Sequence, residues 1–301
     1  MDVMTSRTRT RPTARPLIPF LLASGLVVMW SSGFVGAELG TRQAPATTLL
    51  AWRFLVVGGL LVAWCLWRGS RMSGRDMALH AVLGLLAQAG YLYGVVAAAE
   101  AGVAAGTSAL VAALQPMVAT ALAVPLLGER VRGRQVLGLV VGLVGVGMVV
   151  GSDLLRTGSA PWWAYALPFG AMLSLVAATL VERRSRPGGN VVEALAVQCA
   201  VSAILFTGLA ASTGTLAPPM TVGFWAAVAW VVVLSTLGGY GLYWINLART
   251  SVARVSALLY LTPPTTLVWT WLMFGDPVGT GALAGMAVCV VAVLLVRSHE
   301  R

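Results

Sequence analysis

Leu114-Gln115-Pro116 is followed twelve residues beyond its proline by Gly128-Glu129, and 147 residues later Leu261-Thr262-Pro263 is followed at the same interval by Gly275-Asp276. The same register sets Tyr93-Gly94 on Tyr240-Gly241, Ala101 on Ala248 and Gly138 on Gly285, and needs no gap from the third apolar span to the end of the fifth. An apolar chain gives many chance matches, but proline, glycine and an acid at fixed positions are harder to match by accident. The sequence therefore reads as an internal duplication.

The solvent of that duplicated unit follows from composition. Of 301 residues, 58% are hydrophobic and 10% charged, against roughly 45–50% and 25% in soluble domains, and mean hydropathy is +0.85. So little polar surface excludes a water-soluble globule. A helix needs about 20 residues to cross the hydrocarbon core, and ten apolar segments fit that length. They are 17–37, 46–67, 77–98, 103–127, 134–151, 162–181, 191–213, 222–247, 252–275 and 279–296. Alternating ten-residue stretches of the barrel kind are absent. The first segment is too long for the apolar part of a secretory signal and reads as an uncleaved span. Cys65, Cys199 and Cys289 each fall inside an apolar run without paired spacing, so they read as fillers, neither disulfides nor zinc ligands.

The net charge of +10 is carried entirely by arginine. These arginines cluster between apolar runs and form no stripe of the kind that tracks phosphates, so nucleic acid is excluded as a partner. They mark topology. Arg7, Arg9, Arg11 and Arg15, then the groups at 68–75, 130–134, 183–186, 249–254 and 297–301, alternate with loops that hold only Arg42 and Arg156. Basic residues stay on the cytoplasmic side, so both tails are expected there. Because the register maps the third span on the eighth, each half holds five spans, and an odd number inserts the halves in opposite senses. The expected organisation is a tail at 1–16, one repeat at 17–151, an inverted repeat at 152–296 and a tail at 297–301. Inverted repeats place a substrate site between them near the midplane.

Leu114-Gln115-Pro116 through Pro125-Leu126-Leu127-Gly128-Glu129-Arg130, then Gln135-Val136-Leu137-Gly138, resembles the EamA-like branch of the drug/metabolite transporter superfamily. So do Trp30-Ser31-Ser32-Gly33-Phe34-Val35 and Arg53-Phe54. The resemblance covers essentially the whole chain, although Phe274-Gly275-Asp276-Pro277 departs from the usual Leu-Gly-Glu-Arg ending. It implies an all-α inner-membrane carrier of ten helices in two inverted five-helix repeats, exporting small metabolites. Members of the branch include amino acid exporters, one for aromatic amino acids among them.

Polar and aromatic residues inside spans are the candidates for lining a cavity: Trp30, Ser31, Gln88, Tyr91, Ser108, Gln115, Tyr240, Tyr243, Tyr260 and Thr262. Each has a plainer reading as interhelical glue. Gln88 and Tyr91 share a helical face. Arg53, about seven residues or roughly 10 Å into its span, reads as a substrate carboxylate contact, as a gate pairing with Glu38 or Glu100, or as a structural arginine reaching the interface. His80 is a candidate proton relay or a polar helix end. Pro116, Pro263 and Pro264 are candidate hinges, since proline removes a backbone donor. No catalytic constellation, metal site or cofactor motif is evident, which disfavours an enzyme, and no ring of polar residues indicates a channel. The expected partners are a small-molecule substrate and the lipid bilayer. The reading is alternating-access export of amino acids or related metabolites, with hydrophobic cationic drugs or nucleobase-type metabolites as the alternative. All acids lie near span ends, which favours facilitated transport over proton exchange. Accessibility labelling of the two tails in intact cells is expected to find both protected. Tails on opposite faces would remove the even span count.

Overall fold

The computed structural model describes residues 17–127, 133–155, 160–249, 255, 258–276 and 278–297. Among these every regular element is helical. Six helices are long and apolar enough to cross a membrane, Leu17–Thr41, Ala46–Trp67, Gly74–Glu100, Trp162–Ser185, Val191–Ser212 and Val222–Tyr243, and shorter apolar helices complete the bundle. The arginine cluster at 7–15, Gly128-Glu129-Arg130, Arg132, Arg156, Arg254, Pro277 and the tail from 298 lie outside the described residues.

The elements are α1 (Leu17–Thr41), α2 (Ala46–Trp67) and α3 (Gly74–Leu83), which runs through a π-helical segment, Gly84–Gly90, into α4 (Tyr91–Glu100). Next come α5 (Ala105–Ala112), α6 (Gln115–Leu127), α7 (Gly133–Leu154), α8 (Ala166–Ser185) after a short 3-10 turn, and α9 (Val191–Ser212). Then α10 (Val222–Trp230) continues through a second π-segment, Val231–Tyr240, into α11 (Gly241–Arg249), followed by α12 (Thr262–Phe274) and α13 (Thr280–Arg297). Helix starts carry the expected caps. Ser73 accepts the Asp76 amide, Thr221 accepts that of Phe224, and Asn190 with Glu193 forms a reciprocal capping box.

The duplication reappears as geometry. Shifted by 147 residues, the start of the first π-segment at Gly84 falls on the second at Val231, and the Gly133 start of α7 falls on the Thr280 start of α13. The two helices Gln115–Leu127 and Thr262–Phe274 coincide end to end, each with 13 residues. The fourth span, expected to be continuous over 103–127, is broken at Ala113-Leu114, and its counterpart breaks at Tyr260-Leu261. Each break comes before the proline rather than at it. A proline tolerated in the first turn of a helix clashes with the carbonyl four residues back when the helix continues through it, so the helix stops and restarts.

Packing pairs the corresponding helices of the two halves: α2 lies along α9, and α7 along α13. α1 packs on the second π-segment while α8 packs on α4 and the first π-segment, and α5 meets α12 near the centre. The α7–α13 contact depends on glycine. A Cβ on Gly145 would stand 2.8 Å from the Gly285 carbonyl oxygen and 2.6 Å from the Cys289 sulfur. Small residues are how membrane helices reach such proximity when lipid tails supply no hydrophobic drive. Outward-facing Leu60, Ile204, Val233 and Leu272 are exposed, as lipid-facing positions must be. Gly145→Val is expected to destabilise the protein by about 1–3 kcal/mol through overpacking, read as a lower unfolding midpoint in detergent, whereas Gly147→Ala, which meets open space, is expected to be neutral.

Candidate functional site

Both interruptions of the helical pattern converge on the bundle centre. A cavity of about 60 Å³ is walled by Ala112, Ala113, Gln115 and Pro116 at the first break and by Leu259, Tyr260 and Thr262 at the second, with Trp30, Phe34 and Tyr91 between them. A second cavity, of about 30 Å³, shares Trp30, Phe34 and Tyr91 and adds Arg53, Ser235 and Tyr240. Each has room for a few waters at most. A third, of about 590 Å³, opens at the bundle end that carries Glu38, Arg42, Glu100 and Asp276, and reaches inward to Leu110, Pro263 and Leu267.

The centre is polar in a specific way. A π-segment withdraws carbonyls from their α-helical partners, and a neighbour answers one of them: Ser174 donates to the Leu86 carbonyl at 2.8 Å, while Ser202, which donates to the Gln198 carbonyl of its own helix at 2.9 Å, lies 3.4 Å from that of Gly84. The same segment aims Gln88 inward. Its Nε2 donates to the Tyr240 hydroxyl at 3.0 Å, and its Oε1 is buried without a partner. Tyr240 and Tyr243 pack against Trp30 with tilted rings, at centroid distances of 5.4 and 5.7 Å. Arg53 is 2% exposed. Its Nη2 donates to Thr236 Oγ1 at 3.0 Å and Ser235 Oγ at 3.4 Å, both in the second π-segment, and its Nε makes no hydrogen bond.

The gate pairing considered for Arg53 is not formed. Glu38 binds Arg42 at 2.6 Å, and Glu100 accepts the Ala46 amide at 3.2 Å, capping α2 from a neighbouring helix. The physical reason is position: both acids lie at the mouth, in the wall of the large cavity, whereas Arg53 faces the inner one.

The structure brings Trp30, Arg53, Gln88, Tyr91, Tyr240 and Tyr243 together at the centre, and places Gln115, Tyr260, Thr262 and Pro116 around the adjoining cavity. Gln115 donates to Thr179 at 2.9 Å. Ser31 instead joins α1 to the second break, donating to the Val27 carbonyl at 2.7 Å and to that of Thr262 at 3.3 Å. Ser108 is buried with its hydroxyl unpartnered and lines none of these cavities. Pro263 lines the large cavity, and Pro264 follows it in the first turn of α12. His80 stands apart: its Nε2 meets the Gly188 carbonyl at 3.0 Å, beside the Asp76 carboxylate that accepts the Gly188 amide at 3.0 Å. Sequence reasoning passed over Phe34, Ser235 and Thr236. The adjacent hydroxyls inside the run Val231-Val232-Val233-Leu234-Ser235-Thr236 were the available signal.

One family model matches the chain twice, over residues 17–151 and again over 162–298, and it is that of the EamA-like transporter family. The chain belongs to this family. The double match is the two-repeat architecture already visible in the register. Among the relatives of this EamA-like chain is "Uncharacterized inner membrane transporter YedA" of Escherichia coli K12, 25% identical over 94% of this chain and 92% of its own length. Another is the "Probable terminal-alkyne amino-acid exporter" of Streptantibioticus cattleyicolor, 28% identical over 90% of each chain. A crystal structure of a protein 22% identical aligns over 94% of this chain and 98% of its own with a TM-score of 0.65, which shows the shared fold. Within that fold the Gln88–Tyr240 bond ties the π-segments of the two halves. Tyr240→Phe is expected to lower stability by roughly 0.5–2 kcal/mol, the range for a hydrogen bond between membrane helices, measured by thermal unfolding in detergent.

Proposed function

We infer that the protein exports amino acids or related small metabolites across a bacterial inner membrane by alternating access, through ten spans in two oppositely inserted five-helix repeats with both tails cytoplasmic. The observation that carries this reading is the convergence of both helix breaks and both π-segments on one aromatic and polar centre. Irregular backbone at membrane depth is tolerated only where protein covers it or where it lines a cavity, and transporters place their sites at such breaks. The exchange of packing partners between halves fits two repeats related by a two-fold axis, and an odd number of spans in each half would insert them in opposite senses. The amino-acid exporter among the relatives supports the substrate class.

In this reading the large cavity is a vestibule open at one end and the central pockets are collapsed. An amino acid enters only when Trp30, Tyr91 or Tyr240 moves, and the breaks beside Pro116 and Pro263 act as hinges. The acids Glu38, Glu100 and Asp276 line the vestibule mouth, a feature that favours the second reading, export of cationic compounds. Arg53 opposes it, since a buried positive charge at the centre repels a cation that has no counter-charge beside it.

Facilitated movement remains the expected coupling, because Arg53 and His80 are the ionisable acids or bases of His, Arg, Asp and Glu type buried among the described residues. Purified protein in liposomes is expected to show saturable counter-flow of labelled threonine, methionine or phenylalanine. A pH gradient alone is expected to drive no uphill movement. Uphill efflux under that gradient would establish proton exchange, and the absence of counter-flow for every amino acid would remove the substrate class.

A further inference from the structure

Arg53 presents a charge that the protein itself leaves unanswered. It is buried to 2% exposure in the wall of the inner cavity. Among the described residues no carboxylate lies within ion-pair distance of it; Glu38 is engaged by Arg42 and Asp76 by Arg75. Two neutral hydroxyls satisfy one terminal nitrogen, the Phe54 ring lies 5.7 Å from the guanidinium carbon, and Nε points to no acceptor. An isolated buried cation is costly, and an intramembrane charge ordinarily faces a partner or a cavity. Here it faces a cavity.

We propose that Arg53 is the anchor for the carboxylate of the transported compound, so that the site takes small monocarboxylates, zwitterionic amino acids included, and rejects their amides and amines. This rests on the export reading given above and names what that reading leaves open. The guanidinium edge formed by Nε and a terminal nitrogen matches a carboxylate with two parallel hydrogen bonds. One positive charge balances one carboxylate. A phosphate dianion would call for a second cation, and among the described residues that line the two central cavities Arg53 alone is basic.

The partners that Arg53 holds meanwhile explain how the site changes on loading. Thr236 accepts from Arg53 while donating its own proton to the Val231 carbonyl at 3.0 Å, so its hydroxyl keeps a hydrogen bond when the guanidinium turns away. Ser235 lines the cavity itself. Since α2 belongs to one repeat and Ser235 and Thr236 to the other, a carboxylate that draws Arg53 from these hydroxyls releases one contact between the halves.

The test compares compounds that differ only at the carboxylate. In counter-flow with labelled L-phenylalanine, unlabelled L-phenylalanine is expected to compete at least tenfold better than L-phenylalanine amide or phenethylamine. Arg53→Gln is expected to lose that preference and Arg53→Lys to keep part of it. Thermal unfolding supplies a readout that does not need transport, because a ligand that binds only the folded state raises the midpoint. Phenylalanine and 3-phenylpropionate are expected to stabilise the wild type and leave Arg53→Gln unmoved. If the amide competes as well as the acid, or if Arg53→Gln elutes as a folded monodisperse protein with unchanged transport, the anchor falls while the export reading stands. If no amino acid exchanges but carboxylates still stabilise the wild type alone, the export reading falls and the anchor stands.

Discussion

A peptide group inside a bilayer has no water to bond with, so every amide and carbonyl must find its partner within the protein. Among the described residues the chain meets the constraint with unbroken α-helix along most of its length, and interrupts that pattern at two π-segments and at two short breaks, Ala113-Leu114 and Tyr260-Leu261. All four departures lie against other helices. The carbonyl freed at Leu86 is taken by Ser174, and the Ser202 and Ser31 hydroxyls, bound first to carbonyls of their own helices, lie within 3.4 and 3.3 Å of the Gly84 and Thr262 carbonyls. The cost of irregular backbone confines it to the covered centre, and that confinement is what makes the centre different from the rest of the bundle.

The same constraint explains why glycine matters more than any large side chain in holding the periphery together. Lipid offers apolar groups as good an environment as the protein interior does, so helix pairs are held by close contact and hydrogen bonds rather than by expulsion of water. The Gly145 and Gly285 backbones approach until no side chain fits between them, and Gly84 lies against the backbone of Gln198 in the same manner. The aromatic cluster at the centre has a different character. Trp30, Tyr91 and Tyr240 surround space that the packed helices leave open, beside the buried Arg53.

Much of this was legible from residue order. Periodic apolar runs required membrane helices, and the recurrence of Tyr-Gly, Pro and Gly-acid at one offset required duplication, which the coincident element boundaries of the structure reproduce. Trp30, Tyr91 and Tyr240 were legible as cavity-lining residues because polar and aromatic side chains deep in a span are uncommon, whereas Gln88, read the same way, lines neither central cavity and instead binds the Tyr240 hydroxyl behind the wall. The π-segments were not legible, since one additional residue in a helical turn leaves no compositional mark. Gln88 and Tyr91 were read as sharing an α-helical face, and they do reach the same region, but through a wound segment that sequence periodicity does not describe. The partners of Arg53 were likewise hidden: Ser235 and Thr236 are about 180 residues away in the chain, and nothing local links them.

By itself the sequence determined the solvent, the helical class and the doubling of one unit, because each depends on short-range patterns of hydropathy or on repetition at a constant interval. Tertiary structure alone decided which charges meet. It gave Glu100 to the start of α2 and left Arg53 facing a cavity with hydroxyls for company, while Glu38 was taken by Arg42 only four residues away. Electrostatic pairing depends on distance in space and on burial, and in a folded bundle both are set by helices that lie far apart along the chain.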